Sequence, residues 1–277
     1  MTIIFSILAI VLYLILGFLV GRQMFSKNRP LSPQELLDKR LFISLGLAAV
    51  ILHSTALYHN IFIGSGVGFN FGFFNAISLV SWFIALLLIV ATLTKPVESL
   101  GIIVFPLAAL ALLLENIFPT SHIILTSEAK ELRLHILISI LAYSVLSIAA
   151  IQAILLAIQN KYLRNKHPGG FIRSFPPMET MESLLFKMIG VGFVLQSISL
   201  VTGMLYLENM FEQHLAHKTI LSIVSWFVFA VLLWGRWRFG WRGRVAIRWT
   251  LAGFIILLLA YLGSKMVLEI FLGRHNY

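Results

Sequence analysis

Residues 134–158 read LHILISILAYSVLSIAAIQAILLAI, an unbroken run with no Asp, Glu, Lys or Arg. A hydrocarbon core of about 30 Å needs about 20 apolar residues per helix, and this run exceeds that. In lipid the backbone must satisfy its own hydrogen bonds, so a run of this length is a helix. Its polar residues keep one register. His135, Ser139, Tyr143 and Ser147 are spaced i, i+4, i+8, i+12 and share one helix face. Polar groups are costly in lipid, so that face points into a bundle.

Working outward, seven more stretches qualify: roughly 3–21, 41–59, 70–93, 99–117, 185–206, 217–235 and 246–271. The expected fold is all-α, a polytopic membrane bundle of about eight transmembrane helices forming a single integral membrane domain over residues 1–277. Composition agrees. The 277 residues are 59% apolar and 12% charged, against about 25% charge in a soluble domain. That balance excludes a cytosolic enzyme, a disordered chain and a disulfide-stapled secreted fold. The absence of cysteine removes thiol redox exchange, iron–sulfur clusters and covalent haem attachment to this chain. The first stretch is not read as a cleaved signal, because MTIIFS carries no positive charge and no small-residue cleavage site precedes Gly21-Arg22.

The net charge of +10 reads as topology and not as a nucleic-acid surface. Basic residues gather in alternate loops: Arg22, Lys27, Arg29, Lys39 and Arg40; Lys95; Lys161, Arg164, Lys166 and Arg173; and the cluster Arg236, Arg238, Arg242, Arg244, Arg248. The positive-inside rule puts these loops in the cytoplasm and both termini outside, in a bacterial inner (plasma) membrane. Ser32-Pro33-Gln34-Glu35 has the marks of a helix start. Pro176-Pro177-Met178-Glu179 is expected to open another helix, lying on the membrane before the sixth span. Pro106 is expected to kink the fourth span. No strong internal repeat is visible, so an inverted-repeat transporter gains no support.

Other spans carry polar residues too. The sixth holds Gly192, Gln196, Ser199, Gly203 and Tyr206; the third holds Asn75, Ser78, Ser81 and Trp82; the seventh holds Ser222, Ser225 and Trp226. Most serve as interhelical glue, with small residues allowing close approach. Seven of the eight histidines fall on the outer side or the outer part of a span, and only His167 lies in a cytoplasmic loop. His135 begins its span, and His217 begins the seventh. His53 lies roughly 18 Å from the inner end of the second span, truly inside the membrane. An intramembrane imidazole is either a ligand, with haem iron a natural partner, or a side chain bonded to a neighbouring Ser or carbonyl. No GxSxG, HExxH or P-loop occurs. Carboxylates are nearly absent from the spans: Glu115 and Glu269 stand near outer ends and Glu98 near an inner one. A proton-coupled transporter wants a midplane acid, which counts against that class.

Three segments carry a family resemblance. His135-Ile136-Leu137-Ile138-Ser139-Ile140-Leu141-Ala142-Tyr143 is a His, a small-and-apolar run, then a Tyr. Gly192-Phe193-Val194-Leu195 continues to Leu200-Val201-Thr202-Gly203-Met204-Leu205-Tyr206. Lys218-Thr219 runs through Trp226 to Trp241-Arg242-Gly243 and Ala260-Tyr261-Leu262-Gly263. With Asn75 to Leu79 and Trp82, their order and spacing resemble the cytochrome c assembly family, the CcsA/CcmC/HemX group of haem-handling membrane proteins, over about residues 70–270. Pro176-Pro177-Met178 and Leu232-Leu233-Trp234-Gly235 make the chain look most like the compact YpjD-type members.

In the full pattern of that family, four histidines and a tryptophan-rich loop hold haem. Here the loop position reads Asn209-Met210-Phe211-Glu212-Gln213-His214, without Trp or Asp. Three of the histidine positions fall near Phe69, Trp234 and Leu272, with His275 three residues beyond the last. Only His135 transfers. The resemblance implies a non-enzymatic, haem-binding protein of cytochrome c assembly, with haem b as cofactor. His135 would ligate iron; His53, which matches no position of that pattern and is put forward on its depth and chemistry alone, or His217 would give the second axial bond, and Tyr143, Trp82 and Trp226 would pack the macrocycle. Its partners would be the lipid bilayer, haem, and cytochrome c maturation or tetrapyrrole-synthesis proteins. Two other readings stay open: a membrane scaffold or regulator of tetrapyrrole metabolism that has lost haem, and a small-solute transporter.

Overall fold

Each apolar run becomes one helix, and the structure shows where each begins and ends. The computed structural model describes residues 2–25, 38–63, 68–70, 72–118, 123–125, 130–165, 175–206 and 213–263. Its helices are α1 (Thr2–Phe25), α2 (Lys39–Tyr58), α3 (Phe73–Thr94), α4 (Gly101–Ile117), α5 (Lys130–Arg164), α6 (Met178–Tyr206), α7 (Gln213–Phe239) and α8 (Arg244–Leu258). With their terminal turns, all eight are long and apolar enough to cross a membrane. The chain is therefore an all-α integral membrane protein. Two three-residue strands, β1 (Gly68–Asn70) and β2 (Ile123–Leu125), pair as a ribbon that the hydrophobic pattern did not announce.

Local chemistry sets the helix ends. Asp38 caps α2 by accepting the Arg40 N–H at 3.3 Å. A single π turn, His59–Ile63, prolongs α2, and another, Leu259–Gly263, prolongs α8. The end of the predicted eighth span, and the helix start expected at Ser32–Glu35, lie outside the described residues. Helix α4 carries Pro106 in its interior and continues to Ile117.

One expectation is corrected. Met178 does not open a separate helix lying on the membrane, because α6 is one continuous helix from Met178 to Tyr206. No proline interrupts it, and Glu182 in its second turn is buried and holds a tertiary bond: its Oε1 accepts the Gly243 N–H at 2.7 Å. Gly243 has φ +57°, a conformation that glycine adopts freely, and this turn feeds the chain into α8.

The chain gathers into two compact units, Met1–Ile123 with Ile158–Met178, and Ile124–Ala157 with Glu179–Tyr277. In the first, α1 packs on α2 and α4, and α3 also packs on α2 and α4, which closes a four-helix ring. Its interior is filled by Tyr13, Leu16, Phe42, Leu88, Phe105 and Leu112, with Tyr13 stacked on Phe105 at 5.9 Å. In the second unit α7 packs on α8, tied by a bond from Ser225 Oγ to the Gly253 carbonyl at 2.8 Å. Helices α5 and α6 meet at Gly192, where a Cβ would come within 2.5 Å of Leu146 Cδ2. A glycine there permits that approach, as the small-residue spacing of α6 anticipated.

Candidate functional site

The intramembrane histidines fall in different units and have different surroundings. His53, on α2 of the first unit, is fully buried. Its Nδ1 is 3.2 Å from the Tyr13 hydroxyl of α1, and its Nε2 is 2.9 Å from Ser78 Oγ of α3. Both ring nitrogens are thus engaged, and the Tyr13 ring stands edge-on to the imidazole at 5.8 Å. Of the two readings of His53, the structure supplies the hydrogen-bonded one, with Ser78 as the neighbouring serine. An iron bond at this residue requires the loss of one of these contacts, so His53 does not fit the role of second axial ligand.

The same ring of helices buries a group that the sequence reading set aside. Glu115 near the end of α4 is 3% exposed. Its Oε1 accepts from Asn60 Nδ2 at 2.9 Å, and Oε2 has no hydrogen-bond partner among the described residues. The sequence placed it only near the outer end of its span. The π turn after α2 carries Asn60, which holds it.

His135 lies on α5 of the second unit and is half-buried. Its Nδ1 is 3.0 Å from Thr202 Oγ1 of α6. The Thr202 hydroxyl donates to the carbonyls of Ile198 and Ser199, at 2.9 and 3.0 Å, so its oxygen is left to accept. The histidine proton is thereby assigned to Nδ1, and Nε2 keeps its lone pair. The Ser199 backbone also lies in hydrogen-bond reach of the imidazole, and Thr202 is the one side chain seen to bond it among the described residues. One turn on, Ser139 Oγ meets Ser199 Oγ at 2.7 Å, continuing the α5–α6 seam.

The remaining candidates divide likewise. Tyr143 of α5 packs its ring against Phe254 and Tyr261, each at 5.8 Å, and its hydroxyl is buried without a partner. Trp226 of α7 stacks on Phe193 at 5.2 Å and donates its indole N–H to Ser197 Oγ at 2.8 Å. Gln196 gives its amide N–H to the Ser222 carbonyl at 3.1 Å, while its Oε1 is buried and unpaired. Trp82 belongs to the first unit, where its indole N–H donates to the Val50 carbonyl at 2.9 Å and ties α3 to α2. His217 is on the first turns of α7, and its side chain lies outside the described residues.

Among the described residues no group of three or more His, Asp or Glu side chains is arranged to hold a bare metal ion. A haem brings four nitrogen ligands of its own and asks the protein only for axial bonds and a polar–aromatic lining. In the second unit His135 Nε2 has the chemistry of an axial ligand, and the unpaired hydroxyl of Tyr143 and carbonyl of Gln196 are buried polar atoms still lacking partners. That donor set fits haem; the His53 cluster does not.

Comparison with known proteins bears on the same residues. The model of the family described as cytochrome c assembly protein matches residues 41–272. The inner membrane protein YpjD of Escherichia coli is 33% identical over 267 residues, 96% of this chain and 98% of that protein. The cytochrome c biogenesis protein CcsA of Gloeobacter violaceus is 28% identical over 111 residues, 39% of this chain and 32% of its own length. The CcsA of Prochlorococcus marinus is 25% identical over 214 residues, 68% of this chain and 65% of its own length.

Proposed function

The chain belongs to the cytochrome c assembly protein family, and from that premise we propose that it is a non-enzymatic, haem-binding protein of the inner membrane acting in cytochrome c biogenesis. The observation that carries the haem reading is the state of His135, a half-buried imidazole whose Nδ1 is held by Thr202, which leaves Nε2 to face a ligand. A ligating histidine is typically fixed through its other nitrogen, which sets the tautomer and the ring orientation. Thr202 does this from α6, and the Ser139–Ser199 bond keeps α5 and α6 in register one turn away. Tyr143 and Trp226 supply aromatic lining, and the hydroxyl of Tyr143 is a donor for a polar group of the ligand. Bound haem b would supply a one-electron iron couple, and the protein the binding and orientation. In this reading the basic loops face the cytoplasm, both termini lie outside, and His217 is the remaining candidate for the second axial bond.

The test is a reduced-minus-oxidised optical spectrum of the detergent-purified protein, with a pyridine haemochrome assay for stoichiometry. The expected result is a b-type signal near one haem per chain that is lost in His135→Ala. A spectrally clean protein, even after titration with haem, overturns the proposal and turns attention to a scaffolding role through the cytoplasmic loops.

A further inference from the structure

We propose that the turn between α7 and α8 is a binding site for an anionic phospholipid of the adjoining leaflet. Arginines that the fold leaves unpaired hold the headgroup phosphate, and exposed indole rings carry the glycerol and upper chains. The inference rests neither on the haem reading nor on which way the chain crosses the membrane.

The segment is unusual in sequence and built in structure. Residues 234–249 hold five arginines, four of the chain's six tryptophans, and no Asp or Glu. Helix α7 ends at Phe239 and α8 starts at Arg244, so two spans meet the membrane surface through four residues. Gly240, at φ +66°, ends α7. The Gly240 and Trp241 N–H groups return to the carbonyls of Arg236 and Gly235 at 3.1 and 3.2 Å, the paired bonds of a glycine-terminated helix. The Trp241 ring seats against Gly235, where a Cβ would collide with it. It also lies 5.6 Å from the Trp249 ring and 6.3 Å from Phe239.

This frame uses one arginine and leaves four. Arg236 donates to the Trp241 carbonyl at 3.2 Å and lies 4.7 Å over the Phe186 ring of α6. Arg238, Arg242, Arg244 and Arg248 are exposed, and among the described residues none has an ion-pair partner. Two carboxylates stand at the start of α6. Glu182 is buried and bound to the Gly243 N–H, and Glu179 is exposed in the first turn. The turn therefore carries an excess of positive charge. Arg244 and Arg248 are four residues apart and share one face of α8, as Trp234 and Arg238 do on α7. Trp237 is 82% exposed and Trp234 54%. Indoles at the end of a span sit at headgroup level, so rings and guanidinium groups meet the lipid at one depth.

The occupant has to be anionic, to present its charge at the end of a span, and to bring an apolar body beside it. A phospholipid with a net negative headgroup meets all three conditions. A soluble anion has nothing to lay on Trp234 and Trp237, and a zwitterionic lipid brings an ammonium group toward the same cations. A guanidinium fork matches two phosphate oxygens at once.

The tryptophans report on the site directly. The full-length protein is placed in phosphatidylcholine nanodiscs holding a minor fraction of phosphatidylglycerol brominated in its upper chains, or of equally brominated phosphatidylcholine. The expected result is stronger and saturable quenching by the phosphatidylglycerol. Joint Arg244→Gln and Arg248→Gln should weaken that preference by about 5-fold per arginine removed. Lys161→Gln, which removes an exposed cation outside the turn, should leave it unchanged. If the double glutamine variant does not fold, Arg244→Lys with Arg248→Lys keeps the charge, loses the fork and should still weaken the preference. Equal quenching by the two lipids in the unsubstituted protein overturns the proposal, as does a preference unchanged in the arginine variants. So does quenching relieved by inorganic phosphate, which would make this a soluble-anion site, or an equal loss in Lys161→Gln, which would make the attraction diffuse.

Discussion

In the ring of the first unit His53 has a side-chain partner on each ring nitrogen, whereas in the second unit His135 has one side-chain partner among the described residues, Thr202 at Nδ1. The residue type is the same and both lie on membrane-spanning helices. The difference is in what the neighbouring helices offer. Around His53, α1 and α3 each turn a hydroxyl toward the imidazole. Around His135 only α6 does, through Thr202. A buried polar group gains from being fully satisfied, so the first arrangement favours stability and a fixed polar core. The second leaves a lone pair that a metal can take. A histidine in a span is thus a ligand or a structural element according to its second nitrogen.

Exchanging the insults separates the two sites most strongly. His53→Leu strands the Tyr13 and Ser78 hydroxyls in the core and should lower stability by about 3 kcal/mol, since each orphaned group costs roughly 1–3 kcal/mol. Thermal unfolding in detergent checks this, and haem content per folded chain should be unchanged. His135→Leu should do the reverse, abolishing haem while moving the unfolding of the haem-free protein little. If the two substitutions gave the same phenotype, the contrast would fail.

A finer probe is Thr202→Val, which removes the acceptor for Nδ1–H and keeps the shape. Loss of such a supporting contact typically costs 10–100-fold in affinity, so haem should bind weaker by that order in a titration. Next, Gly192→Val forces α6 away from Leu146. Overpacking of this kind costs about 1–3 kcal/mol and should depress both stability and haem occupancy, because the seam also carries His135. The smallest effect belongs to Ser225→Ala, where the loss of one interhelical hydrogen bond averages about 0.6 kcal/mol in a membrane bundle, read by the same unfolding assay.

The helices were legible because their signal is local. Eight apolar runs gave eight helices, and of the stripe His135–Ser139–Tyr143–Ser147 the first two residues bond α6 while Tyr143 packs on Phe254 and Tyr261. The supposed membrane-lying helix at Met178 was misread because Pro176-Pro177 looks the same whether it starts a short helix or a long one. Glu115 was placed only near the outer end of its span, because no sequence periodicity reports a π turn that carries Asn60 to it. Trp82 and Trp226 were grouped as lining by residue type, yet one belongs to each unit.

What the sequence determined by itself is the solvent and the class. Low charge, long apolar runs and the bilayer's demand for internally satisfied backbone leave only a helical bundle, and the motif order gives the family. What only the tertiary structure decided is the state of each buried polar side chain. The partners of His53 are 40 and 25 residues away and that of His135 is 67 away. Hydrogen-bond satisfaction depends on distances of about 3 Å between helices that the chain brings together only on folding.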